Sequence, residues 1–194
     1  MLRIDRGERG VPALGPDNND NFVVLDRAEA CSSRTVGFLD HCEDLRGSRA
    51  FPRWSDLKLY QLDSAVLPYM AVVDVTRAPD DFVYRYWGTG HTALKGVDMT
   101  GKPVSRITAT ELARIGLRQY QLILEHRRPL IFLHDLKAYS PWKDQIQVAA
   151  RVPFSEDGET IDKVVSYSNY DEDRELWNER FHQATARRKK AVGC

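Results

Sequence analysis

Residues 69–90 read YMAVVDVTRAPDDFVYRYWGTG, and this stretch carries a clear strand signal. Two runs within it, Tyr69–Val75 and Phe82–Trp87, are rich in the β-branched and aromatic residues that favour strands. The segment between the two runs is short and contains a proline, and Gly88 follows the second run. The stretch therefore predicts two antiparallel strands joined as a hairpin.

Strict alternation along the second run assigns its side chains to two faces of the sheet. The assignment places Phe82, Tyr84 and Tyr86 on one face, and Val83, Arg85 and Trp87 on the other. Both faces carry large side chains, so we expect other parts of the chain to cover each of them at least in part.

Three further β-rich segments follow later in the chain: Leu130–Ala138, Gln145–Phe154 and Ile161–Tyr170. Turn-forming residues separate them, including Pro141 and Gly158. Consecutive strands with short connections predict an antiparallel meander.

Two helices are predicted from apolar residues that recur every three or four positions. The first begins at Ser33 and stops at Gly47, with Val36, Leu39 and Cys42 on its apolar stripe. The second begins at Thr108 or Thr110 and runs to His126. Its stripe consists of Leu112, Ile115, Gln119, Leu122, Ile123 and His126.

Together these elements predict an α+β fold with a five-stranded antiparallel sheet, helices packed on one face, and flanking N- and C-terminal helices. We expect a flexible arm over residues 1–30, in which Phe22–Leu25 can pair as a short strand. A domain over residues 31–170 includes the N-terminal flanking helix, and residues 171–194 form a C-terminal helix and tail. That last segment has a sparse apolar seam suited to docking on a neighbour: Leu176, Trp177, Phe181 and Ala184.

Composition excludes several classes of function. Lysine and arginine number 28, as do aspartate and glutamate, so no net charge draws the chain to nucleic acid or to an anionic membrane. No stretch approaches the roughly 18 apolar residues that span a bilayer. Cys31, Cys42 and Cys194 lack the spacing of a disulfide framework or a zinc site. We expect a cytoplasmic protein with no bound metal and with neither nucleic acid nor membrane as a partner.

The segment from Phe82 to Thr89, FVYRYWGT, is followed by GVDMTGKP from Gly96 to Pro103. Together they resemble the PAS superfamily, and in particular its short stand-alone proteobacterial proteins, over residues 36–170. Each motif residue also has a physical role of its own: Gly88 and Gly101 suit a positive φ or a close backbone approach, and Asp98 and Thr100 can fix the loop.

The resemblance implies a cupped sheet around a small cavity, which the superfamily uses for haem, flavins, small organic ligands or nothing, so the cofactor is unknown. The residues expected to line such a cavity are Tyr84, Tyr86, Tyr120, Phe132, His134 and Tyr167. An ordinary packed core would use the same aromatic side chains. The resemblance also implies a homodimer, formed through the helix at Val36–Leu45 or the segment around Trp177 and Phe181.

The sequence contains no nucleophile elbow, phosphate loop, dinucleotide fingerprint or zinc-protease motif. We therefore expect a non-catalytic sensory or regulatory module that binds a small ligand, a protein partner or both, and signals in trans to an unidentified signalling protein. One alternative is a small cavity enzyme of the isomerase or hydratase kind, with Asp135 as acid and His134 as base, although adjacent strand residues face opposite sides. A ligand-free structural adaptor is the other alternative.

Overall fold

The computed structural model describes residues 22–29, 32–77, 80–107, 110–136 and 146–170, with five further positions beyond Tyr170. Among these residues, no helix has both the length and the apolar character needed to cross a lipid bilayer.

Six antiparallel strands form one open sheet in the order β1-β4-β5-β6-β2-β3. The strands are β1 (Phe22–Leu25), β2 (Met70–Arg77), β3 (Asp80–Trp87), β4 (Leu130–Asp135), β5 (Ile146–Phe154) and β6 (Lys163–Asn169). The α+β class, the β2–β3 hairpin and the β4–β5–β6 meander are confirmed.

The helices are α1 (Ser33–Arg46), α2 (Thr89–Lys95) and α3 (Thr110–His126), and short 3-10 turns connect several elements. Helix α1 begins where the Ser32 hydroxyl accepts a hydrogen bond from the Thr35 amide. It ends at Gly47, whose φ of 57° belongs to the left-handed region. The predicted start and stop of this helix are confirmed.

The sheet has six strands rather than the predicted five. The sixth is β1, which pairs with β4 from Phe22 opposite His134 to Leu25 opposite Ile131. Phe22, Val23 and Leu25 are buried by this pairing, which gives a physical reason for a short apolar run to join the sheet edge. The suggested pairing of Phe22–Leu25 is thus confirmed, and the sheet begins within the predicted arm.

Helices cover both faces of the sheet, which corrects the prediction that they pack on one face only. Phe38, Leu39 and Cys42 of α1 are buried in the cluster that contains Val148, Ala150 and Val152 of β5. On the other face, α3 buries Ile115, Tyr120 and Ile123. Because helices cover both faces of the sheet, its central strands need not alternate between buried and exposed residues, and every residue of β5 is buried.

The prediction of strict alternation along β3 is wrong beyond Tyr84. Val72 lies opposite Tyr86 and Val73 lies opposite Tyr84, so Arg85 is an extra residue in a β-bulge. The bulge reverses the faces of the residues that follow it. Tyr86 therefore shares a face with Val72, and Trp87 shares the face of Tyr84.

Two of the predicted motif glycines have the predicted roles. A Cβ atom at Gly88 would overlap the carbonyl oxygen of Pro68, so the backbone approaches too closely for a larger residue. Gly101 has a φ of 76°, and its amide donates to the Tyr84 carbonyl at 2.7 Å. The carboxylate of Asp98 accepts from the Thr100 amide at 2.8 Å, which fixes the loop between α2 and α3.

The predicted C-terminal helix falls mostly outside the described residues. The positions that are described there have helical backbone and are exposed: Glu175, Glu179, His182, Gln183 and Ala186. The predicted apolar seam, Leu176, Trp177, Phe181 and Ala184, lies outside the described part of the chain.

Candidate ligand-binding cavity

A cavity of about 330 Å³ lies between the sheet and the helices α2 and α3. Its apolar wall includes Tyr84, Trp87, Val97, Met99, Ile115 and Tyr120. Its polar wall includes His91, Lys95, Gln119, His134, Gln147 and Arg151. The cavity therefore combines aromatic rings with groups that can form hydrogen bonds.

The bulge at Arg85 shapes the aromatic wall of this cavity. It turns Trp87 onto the cavity face, where the Trp87 ring lies 4.7 Å from that of Tyr84 in an edge-on arrangement. The indole Nε1 donates to the Val97 carbonyl at 3.1 Å, so the ring is held in one orientation. Trp87 thus forms a fixed wall of the cavity.

Arg151 lies on β5, in the interior of the sheet, and only 7% of it is exposed. Its Nε and Nη2 atoms donate to Gln119 Oε1 at 3.2 and 2.8 Å, and its Nη1 atom donates to Ser166 Oγ at 3.0 Å. The guanidinium carbon stacks 4.0 Å from the centre of the Tyr120 ring. These contacts hold the guanidinium group in a fixed position against the cavity.

The charged side chains at the cavity wall are positive. They are Lys95, Lys102, Arg106 and Arg151, and the described lining residues include no aspartate or glutamate. Among the described part of the chain, no carboxylate lies within ion-pair distance of Arg151. The Lys95 ammonium lies 5.2 Å from the centre of the Trp87 ring.

Burial, and after it the neighbouring positive charges, lowers the pKa of three titratable groups at the cavity. Burial, together with the charge of Arg151, lowers the pKa of Lys95 to about 8. Burial, Lys95 and Arg151 lower the pKa of His134 to about 3. The pKa of His91 is also held well below its ordinary value, first by burial and then by Lys95. Both histidines are therefore neutral near pH 7.

His91 connects the cavity to the end of the sheet. Its Nδ1 atom lies 3.0 Å from the hydroxyl of Tyr170, which also accepts from Gln147 Nε2 at 3.1 Å. Because Gln147 occupies a lone pair of Tyr170, the hydroxyl hydrogen is available for His91 Nδ1, and we assign the imidazole proton to Nε2. Nε2 is buried and has no hydrogen-bond partner among the described residues.

The cavity contains three of the six residues predicted to line it: Tyr84, Tyr120 and His134. Phe132 lies on the same face but deeper, fully buried, with its ring 5.9 Å from the Arg151 guanidinium. Tyr86 and Tyr167 lie in the core on the opposite face. The Tyr86 hydroxyl donates there to the Leu67 carbonyl, and Tyr167 packs 5.9 Å from Phe38.

Sequence reasoning missed Arg151, Lys95 and His91 as cavity residues. A signal for Arg151 was present, because a charged residue interrupts the apolar run of the predicted strand Gln145–Phe154. Gln119 gave a similar signal, since it is a polar residue on the apolar stripe of the predicted helix. Read together, these two polar interruptions would have indicated a buried pair.

A second depression, of about 430 Å³, lies near Asp81 and Arg127. Two of its three charged side chains already have partners: Asp81 accepts from the Ser105 hydroxyl, and Arg127 donates to the Glu159 carbonyl, each at 2.6 Å, while the third, Glu159, is exposed to solvent. The smaller cavity around Arg151 is therefore the better candidate for a binding site.

The structure describes only one side chain of the catalytic pair predicted for the enzyme alternative, His134 and Asp135. His134 is buried at the cavity wall, whereas the side chain of Asp135 lies outside what the structure describes. Among the described residues, no group of three potential metal ligands converges.

A scan against models of protein families finds no family for this chain, and searches of curated proteins and of solved structures return no match.

Proposed function

We propose that this chain is a non-catalytic sensory module of the PAS type, in which a small molecule occupies the cavity and the response passes to another protein. The observation that carries the proposal is the cavity of about 330 Å³ with a mixed aromatic and polar wall. Ligand pockets generally measure about 300–1,000 Å³ and combine apolar walls with a few convergent polar groups. The sequence motifs around Gly88 and Gly101 support the PAS assignment.

The same cavity argues against the ligand-free adaptor. Protein interiors are close-packed, and empty space next to buried polar groups is unfavourable. In a ligand-free adaptor, we would expect a filled core instead of a cavity of this size beside Arg151 and His91. A bound molecule would provide partners for these groups.

The contacts of Tyr170 suggest how occupancy could reach the C-terminal segment. Tyr170 follows β6 directly and is bonded to His91 and Gln147, which both line the cavity. Its ring also packs 5.7 Å from that of Tyr69. A ligand that moves His91 or Gln147 would change the position of Tyr170, the residue that directly precedes the segment 171–194 in the sequence.

Fragment screening tests the proposal directly. Trp87 forms part of the wall, so its fluorescence should respond when a small molecule enters the cavity. Ala71 also lines the cavity, and Ala71→Leu should abolish binding because the larger side chain fills the space. Tyr86→Phe, on the opposite face of the sheet, is the control that should leave binding unchanged.

Native mass spectrometry of the purified protein complements the screen. A molecule retained from the expression host would appear as added mass that Ala71→Leu removes. The proposal fails if no fragment binds, or if every fragment that binds does so equally well in the wild-type and Ala71→Leu proteins.

The cavity enzyme remains an alternative because titratable side chains do converge on the cavity. The described residues are poorly suited to acid–base catalysis, however. A histidine whose pKa is lowered to about 3 is a poor general base near neutral pH. Recovery of the bound molecule unchanged after prolonged incubation supports the sensor, and its conversion to an isomer or a hydrated product supports the enzyme.

We propose further that the protein is cytoplasmic and forms a homodimer that binds a signalling partner. Leu39 and Cys42 of the predicted α1 stripe are buried against the sheet of their own chain, and Val36 and Leu45 are partly buried, so the segment Val36–Leu45 offers little apolar surface to a second copy. We therefore assign dimerisation to residues 171–194. Light scattering at micromolar concentration tests this assignment, and a mass of one chain would refute it.

A further inference from the structure

We propose that the ligand of the cavity is a small organic carboxylate with an aromatic or branched aliphatic body, and that Arg151 binds its carboxylate group. This inference depends on the proposed function, because it names the class of molecule that enters the same cavity.

The hydrogen bonds of Arg151 are incomplete. A guanidinium group has five N–H donors, and its charge persists at all physiological pH values. Three donors are used, and their acceptors, Gln119 Oε1 and Ser166 Oγ, are both neutral. One N–H on each terminal nitrogen therefore has no acceptor among the described residues. The two terminal nitrogens of a guanidinium can donate in parallel to the two oxygens of a carboxylate.

The charge of Arg151 is also uncompensated. Burying a cation without an anionic partner is strongly unfavourable, and buried charges in proteins are normally paired. Here the described charged groups at the cavity wall, Lys95, Lys102, Arg106 and Arg151, are all positive. Of these four, only Arg151 is buried, so an anionic ligand would give its charge an ionic partner, whereas a neutral or cationic ligand would leave that charge unpaired.

The position of Arg151 is fixed before any ligand arrives. Gln119 on α3 holds two of its nitrogens, and the Tyr120 ring supports the plane of the guanidinium. A preorganised donor loses little conformational freedom on binding, so it contributes more to affinity than a mobile one. This arrangement is expected of a recognition group.

The walls around Arg151 indicate the rest of the ligand. Trp87, Tyr84, Met99 and Ile115 supply apolar and aromatic surface, and a volume of about 330 Å³ admits only a small molecule. Lys95 can provide a second positive charge near the aromatic wall. A compact body with one acidic group satisfies these features better than a nucleotide or a long fatty acid.

The test compares each acid with its uncharged amide, which has nearly the same shape. The probes are phenylacetate, indole-3-acetate and 4-methylpentanoate, their three carboxamides, and phenyl phosphate as a different anion. Binding to the full chain is measured by calorimetry and by Trp87 fluorescence. We expect at least one acid to bind, and to bind about tenfold or more tightly than its amide, because hydrogen bonds to charged groups are the stronger ones.

Variants assign the effect to Arg151. Arg151→Met should weaken binding of the acid by about 10- to 100-fold and leave binding of the amide nearly unchanged. Arg151→Lys keeps the charge but loses the paired donors, so it should recover only part of the affinity. Arg128→Met, in the turn between α3 and β4, removes the same kind of residue outside the cavity and should have no effect.

The comparison of acid with amide on the wild-type protein needs no variant, so it remains decisive even if Arg151→Met fails to fold. The inference is overturned if no acid binds more tightly than its amide, or if phenyl phosphate binds more tightly than every acid in an Arg151-dependent manner. In either case, fragments whose binding Ala71→Leu abolishes would leave the proposed function standing. Failure of all fragments to bind overturns both.

Discussion

The ligand-free protein should tolerate the replacement of Arg151 by methionine unusually well. Arg151 is 7% exposed and donates only to neutral groups, so its charge is desolvated without an ionic partner. Most substitutions of a buried residue lower the free energy of unfolding by about 0.5–3 kcal/mol or more. We expect Arg151→Met to change it by less than about 2 kcal/mol, in either direction.

The expected value is the balance of three contributions. Loss of the guanidinium leaves Gln119 Oε1 without its donor, which costs about 1–3 kcal/mol. Loss of the stacking on Tyr120 costs up to about 2 kcal/mol. Replacing a buried charged group by an apolar one of similar size recovers about 1–4 kcal/mol. The gain therefore offsets most of the losses.

The partner variant Gln119→Leu should behave in the opposite way. It removes the acceptor of two hydrogen bonds from a buried cation, each contributing about 1.5–3 kcal/mol. We expect a loss of about 3 kcal/mol or more. In the double variant, Arg151→Met with Gln119→Leu, neither the charge nor the orphaned carbonyl remains. It should be more stable than Gln119→Leu by about 2 kcal/mol or more.

Urea unfolding of the four proteins, followed by far-ultraviolet circular dichroism after dialysis against inorganic buffer, measures this cycle. Arg128→Met serves as the control for loss of an arginine. A loss of more than about 4 kcal/mol in both Arg151→Met and the double variant would contradict the reasoning. It would mean that Arg151 is a structural support of the sheet rather than a group held ready for an anion.

Three further results are expected. The free energy of unfolding should fall as the pH drops below 6.5, by up to about 1.4 kcal/mol per pH unit for each of His91 and His134. The reason is that these imidazoles bind a proton in the unfolded chain but stay neutral when buried in the folded one. In urea titrations at several pH values, His134→Asn should reduce this dependence on pH. Gly88→Ala should lower the melting temperature because its Cβ overlaps the Pro68 carbonyl, whereas Gly37→Ala, which has open space on α1, should match or exceed the wild type. Affinity for a bound acid should decline as the pH rises through about 8, where Lys95 loses its charge, and calorimetry of Lys95→Met should show weaker binding without that decline.

Local patterns in the sequence were sufficient for most of the elements. The β-rich runs ending at Trp87 and Phe154 became strands, and the stripe from Leu112 to Ile123 became α3, because each pattern has the period of one regular structure. The coverage of both faces was harder to predict. It depends on where α1 packs, which is a long-range choice that no local window contains.

The aromatic wall could not have been predicted from alternation. A single extra residue, Arg85, exchanges the faces of Tyr86 and Trp87, and a β-bulge has no reliable mark in one sequence. The exchange matters for the proposed function, because it packs Tyr86 against the opposite core and places Trp87 at the cavity wall. Three of the six residues predicted to line the cavity, Tyr84, Tyr120 and His134, lie at its wall. The bulge does not change their faces, because Tyr84 precedes it on β3 and the other two lie on α3 and β4.

Arg151 is the position where local and global preferences disagree most clearly. Its neighbours Ala149, Ala150 and Val152 suit a strand buried on both faces, and an apolar residue at position 151 would satisfy that strand without needing Gln119 on α3. Natural sequences are usually consistent across these levels, and exceptions concentrate at functional sites. Arg151 thus has a polar partner on a second element, Gln119, a stacked aromatic ring, Tyr120, and a cavity beside it, an arrangement that the proposed recognition of an anion would explain.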